Sequence, residues 1–217
     1  MKDGQEETWL THLLLGTAVL ERGERNASEH HFLRSRLLKP NVHAARNLAL
    51  LAPDNASQLA FYKEAWAVWL GWSAEDPARQ RLGRNLASEF SIWMAVNNEW
   101  GTLRAFLVAL PAACPGCVDA DRVLDAHASL YVHDAAYEKA LQLLSSNCFP
   151  TYSSDRSRLI HLWYQAHLQM EEARLGRALT RIDTVRLRRK IGCDGDQTVT
   201  TWKGQCSRGP PNLGTAY

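Results

Sequence analysis

Ala45-Arg46-Asn47-Leu48-Ala49 and Gly83-Arg84-Asn85-Leu86-Ala87 share the run Arg-Asn-Leu-Ala at a step of 38 residues. The same step reaches Arg122 and Leu124, and it brings Tyr62 onto Trp100, Ala65 onto Leu103 and Leu141, and Trp69 onto Leu107. Apolar positions therefore coincide from one copy to the next. A period near 38 residues suits a pair of antiparallel helices, which cannot bury its apolar faces alone and gains a continuous core by stacking on its neighbours. The expectation is an all-α chain of stacked helix pairs.

Outward from these two runs, helix punctuation divides the rest. Glu6 to Arg22 carries Trp9, Leu10, Leu13, Leu14, Thr17 and Leu20 at three- and four-residue steps and stops at Gly23, which marks a first helix. A partner runs from Ala27 to Leu38, with Phe32, Ser35, Leu37 and Leu38 inward, and Pro40 ends it. The next pair is Asn41 to Leu51 and Asn55 to Leu70, with Asp54 or Asn55 as cap. Asp76-Pro77 places a cap before a proline at the first helical position and opens a helix to about Val96. Asn97 and Asn98 suit a left-handed turn, and Trp100 to Leu110 follows until Pro111. Asp119 or Asp121 opens a helix through Val132, partnered by Tyr137 to Ser145. Ala128, Tyr131, Tyr137 and Ala140 again place a small residue in the first helix and an alanine in the second. Ser153 to Arg174 has Leu159, Leu162, Trp163, Ala166 and Met170 inward, and Thr180 with Asp183 makes a capping box for a basic helix from Arg181 to Ile191. Residues 1–192 thus read as the helical domain. Residues 193–217 read as an extended tail, docked on the helices at least through Pro210-Pro211-Asn212-Leu213.

Composition narrows the function classes. With 46% apolar and 22% charged residues, the 217-residue chain lies in the ordinary range of folded soluble proteins. A formal charge of +2 gives no field that selects nucleic acid or an anionic membrane as partner, and no apolar run approaches the roughly 20 residues of a membrane span. The start Met-Lys-Asp-Gly-Gln-Glu-Glu lacks a secretory leader's basic, then apolar, order, so the chain is expected to be unprocessed. Five cysteines, an odd number, speak against a secreted disulfide framework and for a reducing cytoplasm. Eight tryptophans suit the filling of space between helix layers.

Leu15-Gly16, Gly23, Phe32, Ser35 and Pro40 fall at tetratricopeptide spacings, with small residues at a helix approach and a bulky one wedged between. The chain accordingly resembles a tetratricopeptide-like α-solenoid of about four to five helical hairpins with an extended C-terminal tail. Its ending, Gly176-Arg177-Ala178-Leu179-Thr180, a basic helix and Pro210-Pro211-Asn212-Leu213-Gly214 before Tyr217, is similar to the close of helical repeat regions in large uncharacterised proteins that carry an N-terminal carbohydrate-processing-like β-sandwich. The segment Cys193 to Arg208 departs from that pattern, and the β-sandwich is absent. The resemblance implies a noncatalytic protein-interaction or scaffold module offering a concave surface to a protein or peptide, or to another domain of a longer parent. The alternative it implies is an accessory region of a carbohydrate-active protein whose catalytic domain lies elsewhere.

Arg46, Asn47, Arg84 and Asn85 are the candidate partner-binding residues. Equivalent side chains on consecutive first helices line one wall, where arginine and asparagine can hold a carboxylate or an extended backbone; the competing role is a bridge between neighbouring hairpins. Cys114-Pro115-Gly116-Cys117, with Cys193 and Cys206, can supply four thiolates to zinc, but twelve residues separate the second pair, so free thiols and no metal or other cofactor are expected. A redox role calls for a strand into the motif and a helix starting at its first cysteine, whereas here a helix ends before it. His127 and His133, and His161 and His167, are each six residues apart, a poor spacing for one metal, and His30-His31 reads as a polar face. Glu64, Glu89, Asp125 and Asp134 read as solvated or ion-paired. The basic helix with Arg181, Arg186, Arg188, Arg189 and Lys190 reads as dipole compensation. No phosphate loop, nucleophile elbow or short-spaced zinc histidines occur, so no enzyme is expected.

Overall fold

Caps decide where the chain turns into helix. The Thr8 hydroxyl accepts the Thr11 amide at 3.1 Å, Asn41 Oδ1 accepts that of Ala44 at 2.8 Å, and Asp54 Oδ1 that of Ser57 at 2.9 Å, each satisfying a donor the first turn leaves unpaired. The computed structural model describes residues 8–73, 76–146 and 156–191, which are all-helical: ten α-helices and no strand among the described residues. They are α1 (Trp9–Glu21), α2 (Arg25–Leu38), α3 (Val42–Leu51), α4 (Asn55–Leu70), α5 (Pro77–Val96), α6 (Trp100–Ala113), α7 (Asp121–His133), α8 (Tyr137–Ser146), α9 (Arg156–Leu175) and α10 (Arg181–Lys190), with a 3-10 turn at Pro115–Cys117. The tail expected over 193–217, Leu159 and His161 as side chains, and the turn at 147–150 lie outside the described residues.

Two compact units divide the chain. The first is the described part of Met1–Phe90 with Leu110–Cys117. In it α1 packs on α2, α2 on α3 and α3 on α4. Phe32, Ala44 and Leu48 form the core, with Leu13, Leu20, Leu33, Leu51 and Phe61 against them. Phe32 reaches so far into α1 that a Cβ on Gly16 would stand 2.7 Å from its ring. Fully buried Ser28 and Ser35 donate to the carbonyls of Gly16 (2.8 Å) and Trp9 (2.7 Å), tying α2 to the chain of α1 without an orphaned hydroxyl. Gly83 of α5 repeats the close approach, since its Cβ would meet the Trp69 ring at 2.3 Å. Trp69 also donates from Nε1 to the Arg79 carbonyl at 2.9 Å, and Tyr62 stacks on Phe90 with centroids 5.3 Å apart.

The second unit is the described part of Ser91–Ala109 with Val118–Tyr217. Here α7, α8 and α9 pack on one another around Leu124, Ala128, Leu144 and Trp163. Asn98 (φ 60°) makes the expected left-handed turn after α5, and Ala135 (φ 56°) makes another after α7.

Three local expectations are corrected. In α2, Leu37 is exposed at 75% and Leu38 is exposed too. In α1, Leu10 and Leu14 are exposed at 46 and 62%, while His12, Gly16 and Val19 are the buried face. Apolar residues surround α1 almost completely, so periodicity does not select a face; the Gly16 notch that admits Phe32 does. Pro111 does not end α6, which runs to Ala113: a proline in the last turn forfeits one bond, and the Cys114 amide still closes on the Leu110 carbonyl at 2.7 Å. Asp121 is inside the first turn of α7, whose N-cap is Ala120.

Candidate functional site

Arg46 crosses from α3 to α5. Its Nε donates to Glu89 Oε2 at 2.6 Å and its Nη2 to Oε1 at 2.5 Å, a two-pronged pair whose side chains keep 30 and 21% exposure. That hydrogen bonding raises the arginine above its ordinary pKa, and the neighbouring Glu89 joins burial in pushing the Tyr62 phenol up to about 12. Arg46 also lines a cleft of about 370 Å³, whose other lining includes His43, Trp72, Arg81, Leu82 and Asn85. His43 is held below its usual pKa by burial and then by Arg46, so the cleft presents a neutral imidazole beside guanidinium donors. Of the four residues singled out in the sequence, the structure brings Arg46 and Asn85 to this cleft. Asn47 is half-buried on α3 and Arg84 lies on the exposed side of α5; neither lines it.

Cys114 and Cys117 are joined in a disulfide where free thiols were expected. Cys193 and Cys206 lie outside the described residues, and among the described residues no three His, Cys, Asp or Glu side chains gather as a metal would require.

In the second unit, α10 begins with the capping box. The Thr180 hydroxyl and amide donate to Asp183 Oδ2 at 2.6 and 3.0 Å, and Arg177 adds a third bond at 2.8 Å. These donors, Arg177 first, hold the Asp183 carboxyl well below the usual range. Arg188 donates to the Tyr164 hydroxyl at 2.8 Å and lies 5.5 Å from that ring's centroid, which fixes it against α9. Arg181, Arg186 and Lys190 stay exposed. Beside α10 a cleft of about 300 Å³ is lined by acidic Glu171 and Asp183 as well as Arg174, Arg177, Arg186 and Lys190. Burial, then Lys190, holds His167 below its usual pKa.

Glu64, Glu89 and Asp134 pair with Arg36, Arg46 and Arg104, as ordinary ion pairs do. Asp125 differs from its expected solvated position: it is 1% exposed and accepts the Ser129 hydroxyl at 3.2 Å. Two contacts went unread in the sequence, the stack of His133 on Trp100 at 4.5 Å and the Arg188–Tyr164 pair. Both join residues more than twenty positions apart, and no local spacing signals them. No described helix is long and apolar enough to cross a membrane.

Residues 90–193, just under half of the chain, match the model of a family described as the transcriptional regulator SIX1 N-terminal SD domain. Neither the curated proteins nor the solved structures gave a match. The match overturns the tetratricopeptide and carbohydrate-processing resemblances, and with them the concave scaffold, the accessory role in a carbohydrate-active protein and the cytoplasmic assignment. Gly16, Phe32 and Ser35, which suggested the first, describe any tightly crossed helix pair and lie outside the matched residues. Gly176 to Thr180 and the basic helix, which suggested the second, lie inside them. The matched family is regulatory and not catalytic, and it removes support for excluding nucleic acid as a partner.

Proposed function

We propose that this chain is a noncatalytic module of a transcriptional regulator, acting in the nucleus by engaging a protein partner. The observation that carries the reading is the match over residues 90–193, which extends from the C-terminal part of α5 through α10. Its helices supply a rigid support, because the Leu124, Ala128, Leu144 and Trp163 core locks α7, α8 and α9 together. In the first unit, Arg46, Asn47, Arg84 and Asn85 are the contacts we assign to a partner. Arg46 spends Nε and Nη2 on Glu89, which leaves its Nη1 donors available to a carboxylate.

The order of packing, α1 to α4 in one unit and α7 to α9 in the other, also supports a solenoid-like stacking of helix hairpins within each unit, without tetratricopeptide ancestry. A second reading rests on α10, where Arg181, Arg186, Arg188, Arg189 and Lys190 occupy a ten-residue helix with a single acid, Asp183, already bound by Arg177 and Thr180. That cation density suits the phosphates of a nucleic-acid duplex.

The test expresses the full chain with a fluorescent tag, and separately tethers it at a promoter through an unrelated DNA-binding domain. Nuclear accumulation and a several-fold change in reporter output support the proposal; exclusion from the nucleus with an unmoved reporter refutes it. Salt-dependent retention of a labelled duplex, lost when Arg181 and Arg186 are exchanged for glutamate, would support the second reading, and retention unaffected by that exchange would discard it.

A further inference from the structure

We propose that Cys114 and Cys117 are a reversible thiol–disulfide site in which Cys114 exchanges with a small disulfide or thiol and Cys117 resolves the product. The two sulfurs are bonded, and both residues are buried, at 5 and 0% exposure. Their proximity does not depend on that bond. Pro115 and Gly116 turn the chain through a 3-10 turn, and the Cys117 amide donates to the Cys114 carbonyl at 2.9 Å, so a reduced pair stays within reach.

Access is asymmetric. A cleft of about 270 Å³, lined by Trp69, Arg79, Gln80, Cys114, Pro115 and Gly116 among others, reaches the first cysteine and not the second. Its volume suits the sulfur end of a tripeptide thiol. Cys114 follows the C-terminal end of α6, where the helix dipole disfavours a thiolate. Arg79 supplies the opposing charge: its guanidinium lies 4.7 Å from the Trp69 ring centroid, and its buried Nε has no hydrogen-bond partner. A thiolate at Cys114 gains a cation in the same cleft.

With glutathione disulfide as the oxidant, the Cys114 thiolate attacks one of its sulfurs, forming a Cys114–glutathione bond and expelling one glutathione thiolate. The Cys117 thiolate then attacks Cys114 Sγ, forming the internal disulfide and expelling the second. Two protein thiols are oxidised and one glutathione disulfide is reduced to two thiols. In a reducing compartment such pairs act transiently, as sensors of oxidant.

The experiment uses the full chain with Cys148, Cys193 and Cys206 exchanged for serine. Reduced protein given glutathione disulfide should lose both thiols, retain no adduct and release two glutathiones per chain. Added Cys117→Ser should instead hold one glutathione on Cys114, whereas Cys114→Ser should form an adduct at least about tenfold more slowly. Equal adduct rates for the two variants, or a pair that stays fully reduced, would overturn the assignment. Should either serine variant misfold, iodoacetamide labelling of the reduced parent decides: Cys114 must be alkylated first, and Cys117 labelled first or at the same rate rejects the proposal.

Discussion

Exchanging Arg46 for alanine is expected to damage the fold of the first unit. Two hydrogen bonds of 2.6 and 2.5 Å connect α3 and α5 through this one side chain. Opposite charges about 4 Å apart attract by roughly 4 kcal/mol at an effective dielectric constant of about 20. Desolvating two groups that keep 30 and 21% exposure returns part of that, leaving a net coupling of about 1.5–2.5 kcal/mol. The single variants Arg46→Ala and Glu89→Ala should each lose about 2–3 kcal/mol, because each strands a half-buried charge. The double variant should lose less than the two together, by the amount of the coupling. In a chain of this size about 1 kcal/mol moves the midpoint by about 2–4 °C, so each single variant should melt roughly 4–12 °C lower. Circular dichroism on heating and in urea measures the cycle. Arg46→Lys keeps the charge but not the fork and should fall between wild type and alanine. A coupling below about 0.5 kcal/mol would refute the argument and free Arg46 for a role in binding alone.

Gly83→Ala should cost about 1–3 kcal/mol, since its new methyl would enter the Trp69 ring and helix propensity returns only about 1 kcal/mol; urea unfolding with tryptophan emission reads this, and an unchanged midpoint would show that Trp69 moves aside freely. Tyr62 should remain largely a neutral phenol until about pH 12. The sign follows from linkage: the folded pKa exceeds the unfolded value near 10, so the contribution is complete below pH 10 and is lost as pH rises from about 10 through 12. The difference in alkaline absorbance between wild type and Tyr62→Phe checks it; a difference that titrates near pH 10 would contradict the buried phenol.

Where a feature depended on neighbours in sequence, it was legible. Asp54 and the Thr180–Asp183 box sit at the helix starts their hydrogen bonds require, and Asn98 makes its left-handed turn, because capping acts over three or four residues. The 38-residue register was legible as burial: Ala45, Leu48 and Ala49 are buried, as are Gly83, Leu86 and Ala87. It was not legible as chemistry. Arg46 and Arg84 occupy equivalent positions, yet one is clamped by Glu89 and the other is exposed, since the acid that meets Arg46 lies 43 residues away and has no periodic signature.

The same distinction separates the fold of this chain from its family. Gly16 against Phe32 and Gly83 against Trp69 are solutions to one packing problem, the close crossing of two helices, and unrelated helical proteins reach it with the same residue types. Such pairs identify how helices cross and carry no record of what they serve. The stretch with more specific content was the last one, where Gly176 breaks α9, Thr180 and Asp183 open α10, and five cations crowd ten residues. Dipole compensation accounts for cations in the final turn, but it does not account for Arg181 at the first, where the helix end is itself positive. Arg181 stands exposed at the positive end of α10, a placement that helix electrostatics does not favour, which makes it the residue whose exchange for glutamate tests the proposed duplex contact most directly.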